Sequence, residues 1–171
     1  TPNNVQNSDP MIYQFTDKMI RRYASFPTGE HTLVVCIGDQ QVCPSLKFAS
    51  VEEYFRSALG YKRHLDIDYN GNAKIHHDLN TPVPGVHLTD ADLVYDGGTL
   101  EHVCNAGLAL WTMKQMVKVG GLIVQESPIV PYGQAYWGVS PLVQRDFFRA
   151  NGFEDVAHIV HYRKSWKMDL M

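Results

Sequence analysis

Apolar residues along this chain fall into two patterns, short unbroken runs and longer stretches with helical spacing. Leu33-Val34-Val35-Cys36-Ile37 is unbroken and stops at Gly38. Such a run suits a strand buried on both faces of a parallel sheet. Further short strands are expected at 64–69, closed by Asn70-Gly71, at 73–77, at 92–95 and at 122–124. Residues 156–162 alternate like a sixth strand, and 165–171 read as a seventh strand or a tail. Helical spacing marks 11–23, with Ile12, Phe15, Met19, Ile20 and Tyr23 on one face and Pro27 and Gly29 beyond it. A second helix is expected at 51–59, with Ser50 and Glu53 placed as a capping box and Gly60 as its stop. Leu108, Leu110, Trp111, Met113, Met116 and Val117 predict a helix over 106–117, ended by Gly120-Gly121. Ser140 as N-cap, Pro141 at the first position and Asn151-Gly152 as the stop frame a helix over 141–150. Residues 1–10 are a polar lead-in, and 127–139 form a loop rich in Pro, Gly and aromatics.

Strands separated by helices imply an α/β fold: a doubly wound, mostly parallel sheet with helices on both faces. At 171 residues the chain reads as one domain, a lead-in and helix over 1–30 followed by the sheet domain over 31–171. It shows no internal repeat and no low-complexity segment. A net charge of −3 argues against a surface built for nucleic acid. No apolar run approaches the roughly 20 residues that span a bilayer, so no membrane partner is expected. No signal peptide is legible at the start. Cys36, Cys43 and Cys104 are odd in number and lack zinc or disulfide spacing, which reads as reduced, mostly structural thiols in a cytoplasmic protein. Homo-oligomer formation stays open.

Candidate chemistry concentrates in Asp92-Leu93-Val94-Tyr95-Asp96-Gly97-Gly98-Thr99-Leu100-Glu101-His102-Val103. It reads as a strand that breaks at two glycines and opens into a helix. Ligands of open α/β sheets sit outside the carboxyl ends of the strands, which puts Asp96, Glu101 and His102 on a pocket rim. The plainer reading makes Thr99 an N-cap and Glu101-His102 an exposed first turn, favoured there by the helix dipole. His102 serves either as a base or as a surface histidine. Gly38, with Asp39 and Gln40, ends the first strand where backbone can approach a ligand, or is a simple turn. Asp66 and Asp68 point the same way along the second strand; either can accept from both hydroxyls of a ribose, or be a solvated loop aspartate. His76 and His77, with Asp78, Glu101 and His102, raise a metal site. Adjacent strand residues point to opposite faces, so His76 and His77 cannot readily share an ion, and no metal is expected. Tyr132, Tyr136 and Trp137 either line an acceptor pocket or pack their loop onto the sheet.

Three runs in order carry a resemblance: Ile75-His76-His77-Asp78-Leu79-Asn80-Thr81-Pro82-Val83-Pro84, then Asp96-Gly97-Gly98-Thr99-Leu100-Glu101-His102-Val103, then Met116-Val117-Lys118-Val119-Gly120-Gly121. Ser140-Pro141 and Phe147-Phe148-Arg149-Ala150-Asn151-Gly152-Phe153 add to it. Over residues 30–160 the chain resembles the class I S-adenosylmethionine-dependent methyltransferases, in particular their small bacterial type. The resemblance implies S-adenosylmethionine as cofactor and methyl transfer to a small-molecule oxygen, nitrogen or carbon. Gly38, Asp39 and Gln40 would pass under the methionine moiety. Asp66 or Asp68 would hold the ribose. Asp78 and Leu79 would flank the adenine, Asp78 near its amino group. Asp96 and Gly97 would border the amino acid end and face the acceptor. His102, then Glu101, are the candidates for a base. Two features depart from the family pattern. The first turn has one glycine where the family has two or three, and the last strand is short or absent. The single glycine favours an alternative, a methyltransferase-like domain that binds a nucleoside or a partner protein without catalysis. A third alternative is a metal-dependent hydrolase using His76, His77 and Glu101.

Overall fold

The computed structural model describes residues 12–24, 28–69, 73–83, 90–131, 133, 135–154 and 157–161. Five strands form one all-parallel sheet: β1 (Leu33–Ile37), β2 (Arg63–Asp68), β3 (Ile75–His76), β4 (Ala91–Gly97) and β5 (Val117–Glu126). Their order is β3-β2-β1-β4-β5. The chain therefore winds outward from β1 to β3, returns past β1 and winds outward again. Between β1 and β4 the direction of winding reverses, which opens a crevice at the carboxyl ends of the two strands.

Alternation along the strands splits the core into two layers. Val34 and Cys36 of β1 with Leu93 and Tyr95 of β4 face one side, where they meet Ile20 of α1 (Gln14–Tyr23) and Val51 of α2 (Val51–Glu53), together with Tyr54 and Phe55. Leu33, Val35 and Ile37 with Val94 face the other side, against Ala109, Leu110, Met113 and Met116 of α3 (Ala106–Met116). Half-buried Phe147 and Phe148 of α4 (Pro141–Ala150) pack on this second layer. All five side chains of β1 are buried, as its unbroken apolar run requires. This is a doubly wound, Rossmann-like α/β fold.

Several local expectations change. Ser50 Oγ accepts from the Glu53 N–H at 3.1 Å, but Glu53 Oε2 reaches back to the Ala49 N–H at 2.7 Å, one residue before the cap. The helix then widens into a π-type turn over Tyr54–Ala58, which brings the adjacent Tyr54 and Phe55 both into the core. Gly60, at φ +82°, ends it as expected. The third strand shortens to two residues, and the fourth extends to include Asp96 and Gly97. Gly120-Gly121 does not stop α3. Strand β5 starts directly at Val117, and the glycines form a bulge where pairing passes from Ala91–Val117 to Leu93–Leu122. A Cβ on Gly121 would lie 2.9 Å from the Ala91 carbonyl oxygen, so the bulge itself demands glycine there. The expected sixth strand is not formed: residues 157–161 are irregular, and the His161 ring stacks on Phe15 of α1 at 4.2 Å. Residues 156 and 162 lie outside the described residues, as do 1–10 and 165–171. Among the described residues β5 is the last strand of the sheet, and no helix is long and apolar enough to cross a membrane.

Candidate functional site

A cleft of about 390 Å³ opens at the carboxyl edge of the sheet, within the size range of small-molecule sites. Asp68 and Tyr69 enter it from the end of β2, Asp78, Leu79 and Asn80 from the turn after β3, Thr99, His102 and Val103 from the segment after β4, and Tyr136 from the loop over 127–139.

The cleft separates the two aspartates that the sequence left equivalent. Asp66 Oδ1 accepts from the Lys74 N–H at 2.6 Å and ties β2 to the approach of β3. Asp68 lines the cleft, and its Oδ2 accepts from the Asp39 N–H at 2.7 Å. Asp39 is itself exposed; partial burial and the two aspartates raise its pKa. Asp78 Oδ1 accepts from the backbone N–H and side-chain amide of Asn80 at 2.9 and 2.8 Å, which holds its carboxyl below the ordinary range. Asn80 Oδ1 in turn accepts from the Asn105 N–H at 2.8 Å, joining this turn to the start of α3. Leu79 is buried beside it.

At the end of β1 the chain fills its own first turn. Gly38 has φ +83°, and a Cβ there would lie 2.2 Å from Thr99 Oγ1. Thr99 Oγ1 and Gln40 Nε2 both donate to the Ile37 carbonyl, at 2.8 and 2.6 Å. Gln40 is buried, and its Oε1 would lie 2.4 Å from a Cβ on Gly97. Thr99 and His102 form the cleft wall, with Gly38, Gln40, Asp96, Gly97 and Glu101 buried behind it.

The segment after β4 does not open directly into a helix. Leu100–His102 is a single tight turn, and α3 begins at Ala106, where Asn105 Oδ1 accepts from the Leu108 N–H at 3.2 Å. Thr99 caps nothing with its hydroxyl. Asp96 does the capping instead, its Oδ1 accepting from the Thr99 N–H at 2.8 Å and its Oδ2 from Gln125 Nε2 at 3.1 Å. Asp96 is fully buried, and desolvation pushes its carboxyl up to about 7 despite these hydrogen bonds; neighbouring Glu101 adds to the rise. Glu101 is also buried and also raised, again chiefly by burial, whereas His102 is exposed on the cleft. Of the aromatic loop, Tyr136 lines the cleft and donates its N–H to the Glu101 carbonyl at 2.9 Å; Trp137 packs inward and donates Nε1–H to the Leu100 carbonyl at 3.1 Å. Tyr132 lies outside the described residues.

Sequence reasoning missed Gln125 and Ser127, which meet this acidic pair from the end of β5. The alternation of β5 carried a signal for Gln125, two residues beyond inward-facing Ile123. His76 and His77 do not join Glu101: His76 is exposed on β3, and His77 Nε2 lies 3.0 Å from the Thr81 carbonyl. Among the described residues no group of three His, Cys, Asp or Glu side chains is gathered to hold a metal. Comparison of the chain with protein-family profiles, curated proteins and solved structures found no match.

Proposed function

We propose that the chain is an S-adenosylmethionine-dependent methyltransferase acting on a small-molecule acceptor. The observation that carries this reading is Asp68: a carboxylate facing a cleft at the carboxyl end of β2, beside the winding reversal, where it can accept from both hydroxyls of a ribose. Asp78, Leu79 and Asn80 lie across the same cleft and supply an acceptor for an exocyclic amine next to an apolar surface. The nucleoside end of the cofactor fits these residues. Its amino acid end would meet Asp39 and the wall made by Thr99, with Asp96, Gly97 and Gln40 behind it. The cofactor supplies a methyl group that its sulfonium makes electrophilic. The protein's part is orientation, which by itself accounts for several kcal/mol of barrier. His102, on the cleft wall, and Glu101, buried behind it, are the two groups placed to take a proton from an acceptor that must lose one. Cys36, Cys43 and Cys104 form no disulfide with one another, which fits a reducing cytoplasmic setting. Calorimetry with S-adenosylmethionine and its demethylated product tests the reading. Micromolar to millimolar binding is expected, and no heat at millimolar ligand removes it.

A second reading is favoured by one observation, the filling of the first turn by Thr99 and Gln40. In it the domain binds a nucleoside without catalysis. Cofactor binding together with no methyl transfer to any component of a cell extract supports this reading over the first.

A further inference from the structure

The buried polar group behind the cleft wall is built almost entirely of acceptors. Asp96 and Glu101 contribute two carboxyls, and Gln125 presents its carbonyl oxygen after giving its amide hydrogen to Asp96. Glu101 is 5% exposed, yet its Oε2 has no hydrogen-bond partner among the described residues; nor do Gln125 Oε1 and Ser127 Oγ, although all three atoms are buried. The Ser127 hydroxyl lies near enough to favour the ionised form of Glu101, but outside hydrogen-bonding geometry. Leaving such atoms unmatched is costly; Glu101 Oε2 and Gln125 Oε1 only accept and the Ser127 hydroxyl can do either, so the cluster calls for a species that donates. Among the described residues no Lys or Arg acts on Asp96 or Glu101, and His102 at the cleft lies close enough to act on Glu101. Gly98 has no side chain to cover Glu101, and a Cβ there would lie 3.1 Å from Glu101 Oε1.

We propose that Glu101, backed by Asp96, Gln125 and Ser127, receives the protonated amine of the acceptor, so that methyl transfer goes to nitrogen. The identity of the incoming group as a methyl acceptor rests on the reading given above; the amine site itself rests on the unmatched acceptors. An ammonium has no lone pair to attack with. Glu101 takes one proton from it, leaving a neutral amine and a carboxylic acid. The nitrogen lone pair then forms the new N–C bond as the C–S bond breaks, and that electron pair leaves on sulfur as a neutral thioether. The product is a methylated ammonium, and Glu101 returns its proton to water when the product departs. Asp96 and Gln125 are positioning residues in this scheme.

The test uses the intact protein without cofactor, with its Asp and Glu carboxyl carbons followed by NMR through a pH titration. The probes are methylammonium, tetramethylammonium and methanol at equal millimolar concentration and constant ionic strength. Methylammonium combines charge with N–H donors, and an opposite charge nearby favours the ionised carboxylate. It is expected to move the Asp96 and Glu101 midpoints down, whereas tetramethylammonium and methanol leave them in place. Glu101→Gln is expected to weaken the response of Asp96 roughly tenfold. No movement with methylammonium overturns the proposal, and so does equal movement with tetramethylammonium. These arms need only the wild-type chain, so they decide the matter even if Glu101→Gln fails to fold. Cofactor calorimetry is a separate measurement: an amine response without cofactor binding removes methyl transfer and keeps the site, and cofactor binding without an amine response does the reverse.

Discussion

Asp96 concentrates at one residue the conflict between burial and charge. Its folded pKa of about 7 lies above that of an unfolded aspartate. As pH rises, the unfolded chain therefore gives up this proton first. Stability falls by about 1.4 kcal/mol per pH unit between roughly pH 4 and 7, then levels off. Asp96→Asn removes this dependence. Its amide keeps an oxygen for the Thr99 N–H, and Gln125 can rotate to offer its carbonyl to the new NH₂ group. The variant is expected to lose about 1 kcal/mol at pH 4 and to exceed the wild type at pH 8. Urea unfolding of both proteins across this range reads the difference; a constant offset would mean that Asp96 is ionised throughout. The sequence showed Asp96 at a strand end and Glu101 close by. It did not show that the strand would run through Gly97 and bury both, because burial depends on Gln125, Ser127 and Trp137 arriving from a strand and loop more than 20 residues later.

At the scale of elements, the five strands of the sheet and the Ser50 and Ser140 caps were legible, and the break at Gly120-Gly121 was not. The apolar run at 33–37 and the Ser140-Pro141 start became β1 and α4, with Ser140 Oγ accepting from the Leu142 N–H at 3.3 Å. Gly120-Gly121 was misread because a glycine pair after a helical pattern has the same local signature as a C-cap; only pairing with β4 makes it a bulge. The two roles make opposite demands. A helix stop would need Gly120, at φ +78°, more than Gly121. The bulge needs Gly121 more, since a Cβ at Gly120 meets nothing within 4 Å, whereas one at Gly121 meets the Ala91 and Lys118 carbonyl oxygens at 2.9 and 3.0 Å. Gly120→Ala is expected to cost about 1 kcal/mol from backbone strain alone. Gly121→Ala should cost about 3 kcal/mol, by clash with backbone that cannot move without breaking the ladder. Denaturant midpoints for the two variants rank them, and the reverse order would restore the helix-stop reading. Residues 156–162 misled for a related reason: alternation marks a segment able to form a strand, and pairing decides whether it does.

For the whole molecule, the order β3-β2-β1-β4-β5 has a functional consequence that no single element carries. The cleft takes its walls from the ends of β2, β3 and β4 and from the loop after β5, so it exists only when the entire sheet is assembled. A ligand of this cleft binds the folded chain and not the unfolded one, and must stabilise it by RT ln(1 + [L]/Kd), about 2.7 kcal/mol at a hundredfold excess over Kd. S-adenosylmethionine or its demethylated product is therefore expected to raise Tm by several degrees in a concentration-dependent way. The two aspartates of β2 turn this into a test of site as well as of binding. Asp66 spends its carboxylate on the Lys74 N–H, so Asp66→Ala should lower the ligand-free Tm and leave the ligand-induced rise intact. Asp68→Asn keeps an oxygen for the Asp39 N–H but loses the charge that faces the cleft, so it should hold the ligand-free Tm near wild type and weaken binding by tenfold or more. If the two variants exchange these effects, the proposed ribose-binding role belongs to Asp66. If the ligand leaves Tm unchanged in the wild type, the cleft does not bind this cofactor.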